Sequence, residues 1–258
     1  MRLIDRITLS APETTMFDNP ELSQQTVLIT GAANGLGRAL AKAFDSVGST
    51  LALTDIDEQA LRKTADGLKK ATAYVGDLSE IVATRRIAER IRADHPRVHT
   101  LIHNAGFLVP QPFGDMTDER WNATFNVGIQ AAYVLTKVFW ADWLNTGATA
   151  IYVSSRSGIE GFVDETAYCA TKHAIEGFVK CLSMEATDKG IFVHSITPGM
   201  YMHTPMSEKN YPAELKSKWV DPIELTPAFL YLAMHKDSAL SGQRLNAWDL
   251  SQKLKSGQ

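Results

Sequence analysis

Short apolar runs alternate with longer stretches in which apolar residues recur every three or four positions. The runs at 26–30, 51–54, 73–75, 98–103, 150–154 and 191–197 are short and largely β-branched or apolar. They predict strands buried on both faces. The stretches at 36–47, 58–69, 79–93, 118–145 and 166–189 predict helices. Strand and helix in strict alternation imply a parallel sheet with helices on both faces. A last strand near 243–247 should close one edge, giving about seven strands in a single doubly wound, Rossmann-like α/β domain over 24–258. Residues 1–23 mix charged, polar and apolar types and read as an N-terminal arm, without the apolar core of a secretory signal. Pro205, Pro212 and Pro222 break the rhythm between 200 and 222. That segment reads as a substrate loop over the strand ends.

Composition narrows the function. The chain has 258 residues, 45% hydrophobic, enough for one sizeable core. A net charge of −3 offers no basic surface for nucleic acid or anionic lipid. No apolar run is long enough to span a membrane. Cys169 and Cys181 fall in one expected helix, so they lie roughly 18 Å apart and cannot pair. A reducing, cytoplasmic setting is the simplest for them. The seven histidines are scattered and no cluster has metal-ligand spacing, so no metal is expected.

The chemistry begins at Thr30-Gly31-Ala32-Ala33-Asn34-Gly35-Leu36-Gly37. This turn follows a strand and opens a helix. Glycines let backbone approach a pyrophosphate, and the helix start supplies N–H donors. Asn34, Gly35 and Leu36 belong to that cradle with Gly31 and Gly37. Asp55 ends the second strand, where a carboxylate can accept from both ribose hydroxyls and repel a 2′-phosphate. NAD is therefore expected over NADP; a turn or capping role for Asp55 is the alternative. Asp77 and Leu78 either contact adenine or cap the next helix. Further on, Tyr168 and Lys172 stand at i and i+4, on one helix face, with Ser155 upstream. A phenol with a pKa of about 10 needs ~4 kcal/mol to ionise at neutral pH. One positive charge at ~4 Å and an effective dielectric of ~20 supplies that much.

In this order and spacing the motifs resemble the short-chain dehydrogenase/reductase family. The likeness covers about residues 26–247. It adds Asn104-Ala105-Gly106 after the fourth strand, Ser154-Ser155 after the fifth, and Pro198-Gly199 after the sixth. The resemblance implies an NAD-dependent enzyme moving hydride between nicotinamide and a secondary alcohol or ketone. Ser155 would hold the substrate oxygen, Tyr168 would exchange its proton, and Lys172 would bind the nicotinamide ribose. Asn104, Ala105 and Gly106 would border the adenosine, Pro198 and Gly199 the nicotinamide, and Thr204 would hold its carboxamide. The resemblance also implies a homodimer or homotetramer paired through the two long helices, whose apolar residues surround much of their circumference; burial of those residues within one chain's core is the alternative. One position departs. The asparagine usual in the fourth helix is Gly128 here, with Asn126 facing elsewhere. Either backbone and an ordered water use the space glycine leaves, or the relay is broken. The second case keeps open a non-catalytic NAD-binding sensor or scaffold. Around the reaction centre, Arg156, Ser157, Glu160, Phe162 and Val163, then Phe107, Leu108 and Val109, then Met200, Tyr201, Met202 and His203 are the candidates to meet substrate.

Overall fold

The computed structural model describes residues 20–256. Residues 1–19, most of the expected N-terminal arm, lie outside the described residues. The strands are β1 (Thr26–Thr30), β2 (Thr50–Asp55), β3 (Ala71–Val75), β4 (Thr100–His103), β5 (Ala148–Val153), β6 (Ile191–Thr197) and β7 (Arg244–Asn246). They form one seven-stranded sheet in the order β3-β2-β1-β4-β5-β6-β7, with every neighbouring pair parallel. The helices are α1 (Pro20–Ser23), α2 (Gly35–Ser46), α3 (Glu58–Asp66), α4 (Ile81–Asp94), α5 (Asp118–Phe125), α6 (Ala131–Thr146), α7 (Thr166–Ala186), α8 (Pro205–Asn210), α9 (Thr226–Met234) and α10 (Ala247–Ser256).

Side chains of a strand point alternately to opposite faces, so each strand feeds two cores. Val27 and Ile29 of β1 join Leu40 and Phe44 of α2, Leu61 of α3 and Phe229 of α9. Leu28, between them, faces the other way and joins Ile91 of α4, Phe139 and Trp143 of α6 and Ile175 of α7. Leu22 of α1 is wholly buried in the first core. Ser49 Oγ donates to its carbonyl at 2.7 Å. The end of the expected arm is therefore part of the packed structure.

Besides the short α1 and α8, two helices lie beyond the elements read from the chain. All nine residues of α9 are buried. A helix apolar all round shows no stripe, and its proline at the start reads locally as a break. The α10 segment follows β7 without a linker.

The helix expected over 118–145 is interrupted. Its middle, Asn126–Gln130, is a π turn joining α5 to α6. The expected loop at 200–222 is largely structured. It holds α8 and a 3-10 segment, Ala213–Lys218, and its two limbs pair between Met202 and Val220.

The chain crosses from β3 to β4 on the far side of β1, so the connections after β1 and β4 diverge at their C-terminal ends. In open parallel sheets that crevice is where ligands bind.

Candidate active site

A cavity of about 480 Å³ occupies this crevice, a size ordinary for small-molecule sites. Gly31, Asn34 and Gly35 from the first turn line it, with Asp55, Asp77, Leu78, Asn104, Ala105, Gly106 and Thr204. Glycine is required at two places in the floor. Gly31 has φ +65°, and a Cβ at Gly37 would stand 2.0 Å from the Gly31 carbonyl oxygen. Side chains there would push helix α2 off the turn. Asn34 is the N-cap of α2 without a side-chain capping bond. The first N–H groups of that helix are thus left for an anion. Leu36 points into the first core and Gly37 into the helix–turn contact, so both shape the cradle without lining the cavity. The glycine floor and the helix start fit a dinucleotide pyrophosphate.

Asp55 is held from two sides. Its Oδ2 accepts from Ala33 N at 3.0 Å and its Oδ1 from Asp57 N at 3.0 Å. Each oxygen retains capacity for a second bond. Asp77 Oδ1 accepts from Ser79 N at 2.8 Å within a turn; it does not cap α4, which begins at Ile81 with Glu80 as its N-cap, and the residue also faces the cavity. Asn104 braces the floor: its Nδ2 donates to the carbonyls of Thr30 (3.2 Å) and Gly31 (3.1 Å). Gly199 has φ +80° and packs on Asn246, while the Pro198 carbonyl accepts from Trp248 N at 3.1 Å. Neither lines the cavity. Thr204 caps α8, its hydroxyl accepting from Ser207 N at 3.1 Å. Its methyl abuts the Gly35 turn. Met202, Pro205 and Met206 form the opposite wall. Met202 was expected beside substrate, and Met206, Gly76 and Val127 were not foreseen as lining residues. Only Gly76, just past β3 and before Asp77, had a local signal.

At the inner end, the segment after β5 and the start of α7 bring Ser155 beside the Tyr168 hydroxyl. Ser155 Oγ also accepts from Ser157 N at 3.1 Å and bonds Ser157 Oγ at 3.3 Å. Ser157 Oγ donates to Glu165 at 3.1 Å. Lys172 is buried one turn along α7, its Nζ 5.5 Å from the Tyr168 ring centre. That ammonium donates to the Val153 carbonyl at 2.7 Å. An added Cβ on Gly106 would lie 3.6 Å from it, so Lys172 borders the cavity floor.

The electrostatics differ from the sequence-based expectation. Burial lowers the Lys172 pKa to about 8, with Glu176 opposing. The Tyr168 phenol is pushed up, mainly by burial and then by Tyr211, with Glu165 acting the same way; its bond to Ser155 pulls it down. Lys172, at this distance and bonded to Val153, does not lower the phenol by the amount a 4 Å contact would. The chain's own groups thus favour the neutral phenol.

Gly128 also departs from expectation. It leaves no space: a Cβ would stand 2.0 Å from Thr171 Cγ2, so the Thr171 methyl already fills that volume. Asn126 does face elsewhere, its Nδ2 donating to the Ser79 carbonyl at 2.8 Å. Of the substrate-side candidates, Phe107 lines the cavity and, with Val109, Glu165 and Tyr168, a smaller recess beside it. Val163 is 90% exposed and Leu108 is buried. Arg156 lies over the Phe162 ring and pairs with Glu160 at 3.4 Å. His203 pairs with Glu208 at 2.9 Å in the exposed flap. Tyr201 meets Tyr211 edge-on. Among the described residues no group of three His, Cys, Asp or Glu could hold a metal, and no helix is long and apolar enough to cross a membrane.

Fold and site together define a dinucleotide-binding α/β protein with a serine–tyrosine–lysine cluster at the end of its crevice. A family model for short chain dehydrogenases matches residues 25–215, and the chain belongs to that family. The oxidoreductase UcpA of Escherichia coli (strain K12) is 30% identical over 244 residues, covering 86% of this chain and 92% of that protein. The 3-oxoacyl-[acyl-carrier-protein] reductase FabG of Thermotoga maritima is 28% identical over 236 residues, covering 86% and 95%. A solved structure from Shigella flexneri, assigned as a short-chain dehydrogenase and complexed with NADP, superposes with a TM-score of 0.81 at 26% identity, covering 91% and 99%. The chain is thus an oxidoreductase of this family, and the non-catalytic alternative finds no support.

Proposed function

We propose that this protein is an NAD-dependent dehydrogenase or reductase acting on a secondary alcohol or ketone. The carrying observation is the Ser155–Tyr168 contact, with Lys172 beside the ring, at the floor of a crevice with a glycine cradle. Gly31, Asn34, Gly35 and the start of α2 would hold the pyrophosphate, and Asp55 the adenosine ribose. Asn104, Ala105 and Gly106 would border the adenosine, Lys172 would meet the nicotinamide ribose, and Thr204, Pro198 and Gly199 would close on the ring side. A bound nicotinamide supplies the hydride acceptor or donor and, when oxidised, a positive charge.

Ser155 holds the substrate oxygen by hydrogen bond and directs it toward the Tyr168 hydroxyl. In the oxidative direction Tyr168 takes the hydroxyl proton; in reverse it returns a proton to the carbonyl oxygen. Because burial disfavours the phenolate, the hydroxyl stays protonated at neutral pH and parts with its proton less readily than an exposed tyrosine with a nearby ammonium would. Lys172, with its pKa near 8, remains mostly charged at pH 7.

NAD is favoured by the cavity lining. Asp55 and Asp77 are its ionisable residues, and no Lys, Arg or His joins them. The Shigella flexneri relative carries NADP; the Asp55 carboxylate is the argument for the opposite preference here. The apolar side chains exposed on α6 and α7, Tyr133, Leu144 and Met184, support a homodimer or homotetramer. The free cysteines support a reducing, cytoplasmic compartment.

Tyr168→Phe tests the reading. It should bind NAD as the parent does and lose turnover by roughly 10²–10⁴-fold on any alcohol or ketone that the parent accepts. Parent-level turnover by that variant would remove Tyr168 from the mechanism.

A further inference from the structure

His103, the last residue of β4, is buried and joins three elements. Its Nε2 lies 2.8 Å from the carbonyl oxygen of Gly128 in the π turn. Its Nδ1 lies 3.1 Å from the hydroxyl of Thr30 at the end of β1. A carbonyl only accepts, so Nε2 must carry the proton and Nδ1 must accept. The Thr30 hydroxyl completes this assignment. Its oxygen accepts from Asn104 N at 3.0 Å and Ala105 N at 2.9 Å, leaving its one proton for Nδ1. Every donor in the chain meets an acceptor, and the imidazole is neutral.

The π turn has no side-chain anchor at its centre. Gly128 is pressed against the Thr171 methyl, one residue before Lys172, so no side chain fits there. Its carbonyl is held instead. Val127, the neighbouring residue in the turn, lines the cavity, as do Asn104 and Ala105 at the other end of the chain of bonds. π turns inside helices recur at functional sites, where an inserted group breaks the ordinary ladder.

We propose that His103 is a positioning residue: its neutral, Nε2-protonated ring ties the Gly128 turn to the Thr30–Asn104–Ala105 corner and so sets the spacing between two walls of the nucleotide cavity. The inference rests on the nucleotide reading of that cavity. Lys172 is the charged group near the ring, and Tyr152 is the other titratable neighbour, its ring centre 6.4 Å away. Both favour a neutral imidazole, Lys172 by its charge and Tyr152 by adding apolar bulk.

Two measurements on the 258-residue chain test this. Two-bond ¹H–¹⁵N correlation spectra of ¹⁵N-histidine-labelled protein should show His103 as the Nε2–H tautomer, neutral down to about pH 5. An Nδ1–H tautomer, or ordinary titration in the folded state, overturns the proposal. Calorimetric titration with NAD should show His103→Leu weakened about tenfold, and His103→Gln, which keeps an amide donor for Gly128, within about threefold of the parent. A folded His103→Leu that binds NAD with parent affinity also overturns it. Should that variant not fold, the tautomer decides alone. The catalytic reading stands or falls separately, on turnover by Tyr168→Phe. A parent that binds no nicotinamide nucleotide would overturn both the cavity reading and this role for His103.

Discussion

Replacing Asp55 by Asn tests the cofactor assignment most directly, because it removes one charge and almost no volume. Asp55 is fixed at the end of β2 by two backbone N–H groups, and it faces the cavity beside Ile56. A 2′-phosphate carries a charge of about −1.5 to −2. At ~5 Å from the carboxylate, with an effective dielectric of ~40 between protein-surface and bulk values, the repulsion is ~2.5 kcal/mol. That corresponds to roughly a 70-fold preference against NADP. No basic side chain on the lining offsets it. Arg38 does not line the cavity, and its Nε is buried without a partner. Asp55→Asn should therefore raise kcat/KM for NADP. It should also lower kcat/KM for NAD, since bonds from ribose hydroxyls to a charged acceptor contribute about 1.5–3 kcal/mol. The NAD-to-NADP ratio should fall by about 100-fold or more, less at high salt. Steady-state rates with both cofactors at fixed ionic strength read this out. A parent enzyme that uses NADP as well as NAD, or a ratio unmoved by the substitution, would refute the argument.

Two further outcomes are expected. Burial lowers the pKa of His103 and His194 from the ordinary 6.5 to about 4. Below pH 6.5 the unfolded chain takes up protons that the folded chain refuses, so stability is full above 6.5 and falls toward pH 4. The loss should be about 2 kcal/mol per histidine between pH 6.5 and 5. Urea unfolding at pH 7.5 and pH 5 measures it, and equal stabilities would contradict it. Arg244 pairs with the buried Glu176 at 3.1 Å and donates to the Ser155 carbonyl at 2.9 Å. Arg244→Met should cost about 3 kcal/mol by removing the Arg partner of buried Glu176, which keeps only the Ser154 and Ser195 hydroxyls as donors, and should lower kcat/KM by loosening Ser155; an unchanged thermal midpoint would rule this out.

What was legible in the chain was local. Apolar runs marked the strands, because a parallel sheet covered on both faces needs no alternation. The glycine turn, Asp55, and the pairing of Tyr168 with Lys172 could be read because each depends on neighbours within a few residues. α9 was missed for the converse reason: wholly buried, it carries no polar face to reveal its period.

Contacts between distant segments were decided only by the fold. The π turn at Asn126–Gln130 exists beside Thr171 of α7 and the ring of His103 on β4, and nothing near 128 in the chain announces either. Lys172 was placed on the correct helix face by spacing. Its bond to Val153 and its distance from the phenol come from how α7 lies on β5. Met202 and Met206 reach the nucleotide cavity because their flap folds back through Val220. Chain-local chemistry therefore named the groups proposed to react. The electrostatic balance at Tyr168 was set by burial and by residues from three separate segments, since desolvation and Coulomb forces act through space and take no account of sequence order.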